Sequence, residues 1–201
     1  QRNALLKRQP KPSELAPWDK EYAEAGEALS TYRRRYLNSI EPVMQELAAH
    51  FLPECGNLSL SYQAGWRDSQ LSLQDALRVN QERDLQAGFC GVGPHRADWD
   101  LSLGGGLQQA HFSRGQAKLL ALAALLAQTQ LFVAAKEFWP ILCFDDLASE
   151  LDQTHFAKVL ELLQTSPAQI WISGTQNLPL YSENFNSIKV FHVEHGTILS
   201  H

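Results

Sequence analysis

Three cysteines, Cys55, Cys90 and Cys143, are all that the 201 residues contain, and no two of them stand in a Cys-x-x-Cys spacing. An odd and scattered set of thiols argues against a disulfide framework or a cysteine zinc site and suits a reducing cytoplasm. Gln1 to Lys11 is polar and basic with no apolar core, so nothing in it is expected to mark the chain for export. Long apolar runs are scarce. The best of them, Leu119 to Ala135, is interrupted by Gln128, Thr129 and Gln130 and bounded by Lys118 and Lys136. That falls short of the roughly 20 apolar residues of a membrane span and reads as a helix buried in a core. The absence with most chemical weight is the phosphate-binding loop. No Gly-x-x-x-x-Gly-Lys-Ser/Thr occurs, and Gly104-Gly105-Gly106 lacks the lysine and hydroxyl that cradling a phosphate requires.

What is present suffices for a core, since 44% of the residues are hydrophobic and 19% charged, a composition outside the disordered class. The net charge of -5 is uneven. Residues 1–40 hold eight Lys/Arg against five Asp/Glu, and residues 41–201 hold nine against seventeen. A basic opening suits a nucleic-acid backbone, whereas an acidic remainder suits metal and nucleotide.

Pro10, Pro12 and Pro17 punctuate the start, and from Trp18 to about Phe51 a helix-rich stretch contains only Gly26. Leu29, Tyr32, Tyr36 and Ile40 share one helical face, while Arg33, Arg34 and Arg35 fan around the helix and cannot form a stripe. These arginines read either as a salt-bridged surface or as contacts to a DNA backbone. Pro42 is expected to kink or break the helix. Asn57 to Gln63 alternates as a half-buried strand, and Leu71 to Gln86 is a second amphipathic helix with Leu73, Ala76, Leu77 and Leu85 on one face. The glycine-rich stretch Gly88 to Gly93 marks the expected boundary between a helical arm subdomain, residues 1–90, and an α/β lobe, residues 91–201. Beyond it come a strand over Ala97 to Leu103, a long helix after Ser113, an apolar strand over Trp139 to Phe144, a helix over Thr154 to Gln164 and a strand over Gln169 to Ser173. Ser187 to Val193 and Gly196 to Leu199 read as a hairpin. Such alternation predicts a buried parallel sheet.

Two short segments carry chemistry. In Pro140-Ile-Leu-Cys-Phe-Asp145-Asp146-Leu-Ala-Ser149-Glu150-Leu151-Asp152, four apolar residues end in paired carboxylates, the pattern of a strand presenting acid at the edge of a sheet. Adjacent carboxylates repel unless a cation intervenes, and magnesium prefers few carboxylates with waters and phosphate oxygens; capping of the next helix is the bland alternative. Upstream, Phe112-Ser113-Arg114-Gly115-Gln116 opens a helix with a hydroxyl and a glycine, which makes either an anion-binding tip or an ordinary N-cap.

Taken together, the two segments resemble an ABC-type ATPase head. Ser113-Arg114-Gly115-Gln116 is similar to the Leu-Ser-Gly-Gly-Gln signature with arginine for the first glycine. Asp145 matches the Walker B metal carboxylate, Asp146 the general-base position, and Ser149-Glu150-Leu151-Asp152 the D-loop. The arginine-bearing signature, the Asp-Asp pair, Gly93-Pro94-His95-Arg96-Ala97-Asp98 and the opening Gln1 to Lys7 narrow the resemblance to the RecF family of bacterial recombination-repair ATPases, over essentially the whole chain. The sequence departs from general ABC heads at the base, where Asp146 replaces glutamate, and at the switch histidine, for which only Thr175 in Ile172-Ser173-Gly174-Thr175 stands near. His95 and His155 have no partner at metal-ligand spacing.

The resemblance implies the carboxy-terminal lobe of a P-loop ATPase head of α/β class with a helical arm, the phosphate loop lying in a preceding half. It implies ATP and Mg2+ as cofactors in the longer protein and an ATP-dependent homodimer in which Ser113, Arg114, Gly115, Gln116, Ser149, Asp152 and Thr175 surround nucleotide. Further implications are Asp145 on the metal, Asp146 as catalytic base, a clamp on gapped DNA acting with RecO and RecR to load RecA, and a cytoplasmic location without membrane attachment. Two other classes stay open: a nucleotide-free module binding protein or DNA through its arm, and a magnesium nuclease using Asp145, Asp146 and Asp152. Lacking the phosphate loop, the 201-residue chain alone is expected not to hydrolyse ATP above background. Turnover of about one per second, ordinary for phosphoryl-transfer enzymes, would overturn this.

Overall fold

The computed structural model describes residues 1–175 and 188–200. Contacts between them fall into two compact units, Gln1–Leu131 and Phe132–His201. In the first unit a short helix α1 (Arg2–Leu6) precedes α2 (Pro12–Phe51), a helix of 40 residues. Its start is earlier than expected. Pro12 occupies the first turn, where the missing N–H has no helical partner to lose, and the Glu14 carboxylate accepts from the backbone N–H of Lys11. Neither Pro17 nor Pro42 ends the helix, although proline in a helix interior costs about 3 kcal/mol. Both prolines are exposed, as are Ser13 and Asn38, whose carbonyls lose a donor. Water can therefore satisfy those oxygens, while Leu15 on one side and Ile40, Met44, Leu47 and Phe51 on the other are buried and hold the helix together.

The face that α2 buries is not the expected one. Leu29, Tyr32 and Tyr36 are exposed and only Ile40 of that set is buried; the core face runs through Leu15, Ala23, Gly26 and Ser30. Close approach explains the choice. A Cβ on Gly26 would stand 2.5 Å from Leu73 Cδ2 and 3.2 Å from Pro94 Cγ, so glycine lets neighbouring segments lie against the helix. There Ala23, Leu73, Leu77 and Cys90 form a cluster backed by Tyr22, Trp66 and Val92.

After α2 come β1 (Ser59–Gln63), α3 (Leu73–Ala87), β2 (Asp98–Leu103), β3 (Leu107–Gln108) and α4 (Arg114–Lys136). Here the sheet is antiparallel, in the order β1-β2-β3. Leu60 faces Leu101 and Tyr62 faces Trp99, so β1 and β2 join the two sides of the glycine-rich stretch 88–93 residue for residue. The break in sequence rhythm thus falls at 88–93, whereas the division in contacts falls inside α4. By length and composition α4 could cross a membrane, its best 18-residue window having a mean hydropathy of 1.6. It buries Leu119, Leu120, Ala123, Leu126 and Ala127 and leaves Leu125 exposed, a one-sided pattern.

The first unit is pinned by a buried charge cluster that sequence patterning does not reveal. Arg2 Nε donates to Asp19 at 2.6 Å and Arg2 Nη1 to Asp84 at 2.8 Å, all three side chains being largely buried. Asp84 also accepts from the backbone N–H of Gly91, and Asn3 accepts from that of Cys90. His95 Nε2 donates to the Cys90 carbonyl, which leaves Nδ1 to accept from Tyr22. Burial first, and the nearby Cys90 second, push the Tyr22 phenol up to about 12, so it holds its proton for that bond.

In the second unit β4 (Leu142–Phe144) leads through α5 (Leu147–Glu150) and α6 (Gln153–Gln164) to β5 (Ile170–Ile172), and β6 (Phe191–Glu194) turns through His195-Gly196 into β7 (Thr197–Ser200). β4 and β5 are the one parallel pair among the described residues, with Leu142, Cys143 and Phe144 beside Ile170, Trp171 and Ile172. A continuous buried strand over Trp139 to Phe144 was expected. Instead Pro140 and Ile141 lie ahead of the paired segment, and Ile141 (60%) and Trp171 (51%) remain exposed; among the described residues β4 and β5 pair only with each other. The terminal hairpin forms over β6 and β7, and the expected start at Ser187 lies outside the described residues.

Removing Arg2 would leave two buried carboxylates uncompensated. Arg2→Ala is expected to lower the unfolding free energy by about 3–5 kcal/mol, read from urea denaturation. A loss under about 1 kcal/mol would show that the cluster is solvated.

Candidate functional site

The turn before α4 is built from both ends. Ser113 Oγ accepts from the backbone N–H of Gln116 at 3.2 Å, and Gln116 Oε1 accepts from the backbone N–H of Ser113 at 2.9 Å. This reciprocal pair is a capping box, and it satisfies donors that the first turn of a helix otherwise leaves open. The bland reading of the serine is therefore met, yet Ser113 uses only its oxygen. The hydroxyl proton has no acceptor among the described residues, and Ser113, Arg114 and Gly115 are all exposed. Gly115 is not needed for space: the atom nearest to an added Cβ is Ser113 Oγ at 4.0 Å. The tip of α4 thus offers a hydroxyl donor, free amides and an unscreened backbone, a combination suited to an anion.

A second corner lies in the other unit, at the carboxy-terminal ends of β4 and β5. Asp145 follows β4 and its carboxylate accepts from the hydroxyl of Ser173, which follows β5. The same Ser173 oxygen accepts from the backbone N–H of Asp146 at 3.0 Å. Asp146 has φ 50 and ψ 36, a left-handed conformation that costs a non-glycine residue about 1–2 kcal/mol. It stands at the N-cap of α5, but its side chain caps nothing, and the carboxylate has no partner among the described residues. Capping does not account for the acid pair. The Ser149 hydroxyl donates to the Asp146 carbonyl at 3.0 Å, which ties the start of the next segment to this corner. Asp152 is engaged otherwise: it accepts from the backbone N–H and from Nδ1 of His155, and those bonds hold its carboxyl below the usual range although it is exposed. Thr175 is exposed, and no hydrogen bond ties it to either carboxylate among the described residues. Ser173 is the residue missed by sequence reasoning; its one signal was a hydroxyl directly after a strand parallel to the acid-bearing one.

Among the described residues no three His, Cys, Asp or Glu side chains gather as a metal cage. Magnesium does not need one, since one or two carboxylates suffice when phosphate and water complete the octahedron. Asp145, with Asp146 beside it, fits that requirement.

On α2 the arginine run separates by role. Arg33 Nη1 donates to the Pro94 carbonyl at 2.7 Å, while Arg34 bridges to Asp68 with its guanidinium 5.2 Å from the Tyr62 ring centre. Both attach the helix to loops of its own unit. All three are exposed, and Arg35 alone has no side-chain partner among the described residues.

Against known proteins, the chain is 46% identical over 200 residues to the DNA replication and repair protein RecF of Stenotrophomonas maltophilia (strain R551-3), a match covering 100% of this chain and 55% of that protein. The chain belongs to the RecF family. It spans about half the length of the curated RecF relatives it matches. No protein-family model matches it. The solved structure of the recombination mediator protein RecF with ATP, from the RecFOR pathway, superposes with a TM-score of 0.80 at 24% identity, over 99% of this chain and 54% of that one. A structure of an SMC ATPase, from work on ATP-driven dimerisation, gives a TM-score of 0.51 at 18% identity over 85% of this chain. The fold is accordingly that of RecF and of SMC-type ABC ATPase heads, which is the class the two motifs implied.

Because no described atom comes nearer than 4.0 Å to a Cβ placed on Gly115, Gly115→Ala is expected to raise stability by up to about 1 kcal/mol. Thermal melting of the 201-residue chain checks it. A clear fall in melting temperature would mean that the glycine serves the chain's own packing.

Proposed function

We propose that this chain supplies two of the working parts of an ATP-dependent, dimerising DNA-repair ATPase: the signature turn at Ser113–Gln116 and the carboxylate corner at Asp145 and Asp146. The observation that carries the reading is the unfilled capacity at both places. Ser113 holds its helix with an oxygen and keeps a proton to donate, and Asp146 stands strained at a strand tip with a carboxylate that bonds nothing among the described residues. Groups left uncommitted on a well-tied frame are what a site needs when its ligand comes from elsewhere.

Bound Mg2+ and ATP would supply a charge-neutralised phosphoryl group poised for in-line attack. Asp145 would hold the cation, its orientation kept by the Ser173 hydroxyl. Asp146 would accept the proton of an attacking water; as a residue one methylene shorter than glutamate it reaches less far, which suits slow turnover and a nucleotide that is mainly held. Ser113 and the backbone at Gly115 would donate to the γ-phosphate bound by a second subunit, with Arg114 adding charge. Ser149 and Asp152 would stand at the same dimer face, and Thr175 beside the phosphate.

Around this centre the family membership supports a clamp on gapped or junction DNA that works with RecO and RecR toward RecA loading in the cytoplasm. A DNA contact through the arginine run would rest mainly on Arg35, since Arg33 and Arg34 already bind the chain itself. Residues 1–90 would serve as the arm and 91–201 as the nucleotide-facing lobe.

The test uses a full-length RecF chain carrying these 201 residues in place of its own matching part. Asp146→Asn is expected to keep ATP binding and trap the dimer, because the amide keeps the shape and cannot act as a base. Ser113→Arg is expected to leave ATP binding to each subunit near normal and to abolish ATP-driven dimerisation. Sedimentation with and without ATP beside nucleotide-binding measurements reads both. Normal dimerisation of Ser113→Arg would sink the trans-acting assignment.

A further inference from the structure

Within the signature turn, Gln116 differs from its neighbours: it is half-buried, and both ends of its amide are engaged inside the chain. The orientation of that amide follows from chemistry. The Ser113 backbone N–H can meet only an acceptor, so Oε1 faces it, and Nε2 is left to donate to Cys55 Sγ at 3.3 Å. Cys55 in turn ends the short turn Pro53–Cys55 and is backed by the glycine turn that follows β2. A Cβ on Gly104 would stand 2.9 Å from the Cys55 carbonyl and 3.1 Å from Gly56 Cα, so only glycine allows the two turns to touch. Gly104, Gly56, Cys55, Gln116 and Ser113 therefore form one line of contacts. It gives a physical role to the first glycine of the triplet and to a cysteine that nucleotide chemistry does not use.

We propose that Gln116 is a positioning residue which does not touch nucleotide: braced by Cys55 and the Gly104 turn, it sets the backbone of Ser113 and so the direction in which the serine hydroxyl donates. This rests on the reading of Ser113 as a donor to the facing subunit's γ-phosphate. The rival is a Gln116 amide that contacts the phosphates itself. Glutamate separates the two, because a Glu side chain serves equally well at the third position of a capping box but brings a negative charge that phosphate would reject.

In the full-length chimera, Gln116→Ala is expected to weaken ATP-driven dimerisation roughly fivefold, the effect of losing a helix cap, with ATP binding to separate subunits as the internal control. Gln116→Glu is expected to recover most of that loss, one carboxylate oxygen accepting from Ser113 N–H and the other from the Cys55 thiol. Cys55→Ser, which keeps an acceptor for Nε2, should behave as wild type, and Cys55→Ala should fall between wild type and Gln116→Ala. If Gln116→Glu dimerises worse than Gln116→Ala, the direct-contact rival is right and the proposal is overturned. Ser113→Ala separates the two levels of the argument. Should it dimerise normally, the signature reading fails and the proposal with it; should it be impaired while Gln116→Ala is normal, the positioning role alone fails. Hydrogen exchange on the 201-residue chain is independent of nucleotide: the Ser113 amide should exchange several-fold faster in Gln116→Ala and Cys55→Ala but not in Cys55→Ser. Unchanged exchange in both alanine variants would also overturn the proposal.

Discussion

The burial of Arg2 between Asp19 and Asp84 is the constraint on which the first unit depends. One guanidinium joins α1, α2 and α3, and Asp84 carries the tie onward to the backbone at Gly91. Three charges out of water would be costly if any lacked a partner, so the elements that bring them have little freedom to separate. From that point the loop 88–96 is held at successive places: Asn3 on Cys90, His95 on the Cys90 carbonyl, Tyr22 on His95, Arg33 on the Pro94 carbonyl. What would otherwise be a flexible glycine-rich link becomes a fixed lead into β2. The sheet that β2 forms with β1 then sets the place of the glycine turn and, through it, of the serine that starts α4.

The second unit is organised differently. Among the described residues its carboxylate corner has no buried charge beneath it. Two strand ends and a serine between them hold it, with a strained backbone at Asp146. Among the described residues its parallel pair has no further strand on either edge, and Ile141, Trp171, Phe191 and Val193 are exposed, Trp171 and Phe191 stacking at 6.2 Å. Open edges and apolar exposure are ordinarily covered in folded proteins. In the proposed dimer, chemical groups left uncommitted until partner surfaces arrive would act as preorganised donors, without reorganising at the moment of use.

Several parts of this arrangement could be read in the residues alone, for identifiable reasons. Short motifs survive because they are local: Ser113-x-x-Gln116 caps a helix whatever surrounds it, and four apolar residues before Asp145-Asp146 form a strand tip in most contexts. Helices α3 and α4 and the terminal hairpin announce themselves by periodicity and turn residues. The failures share one cause. Pro17 and Pro42 looked like breaks because the local cost of proline is visible in sequence, whereas the burial of Leu15, Ile40 and Met44 that outweighs it is not. Leu29, Tyr32 and Tyr36 looked like a core face because they are apolar, yet Gly26 and Ala23 win that place by allowing closer approach.

By itself, then, the sequence determined the class of machine: a capping-box signature, an acid pair at a strand end and no phosphate loop, each a property of a few adjacent residues. Tertiary structure alone decided which of those residues are free to act. It tied Arg33 and Arg34 to their own unit, brought the unremarked Ser173 onto Asp145, and closed the Gln116 amide between Ser113 and Cys55. Such assignments depend on contacts between residues as many as 61 positions apart, from Gln116 to Cys55 and from Arg33 to Pro94. No local pattern carries them, because a side chain's chemistry is inherited from its type while its availability is set by what packs against it.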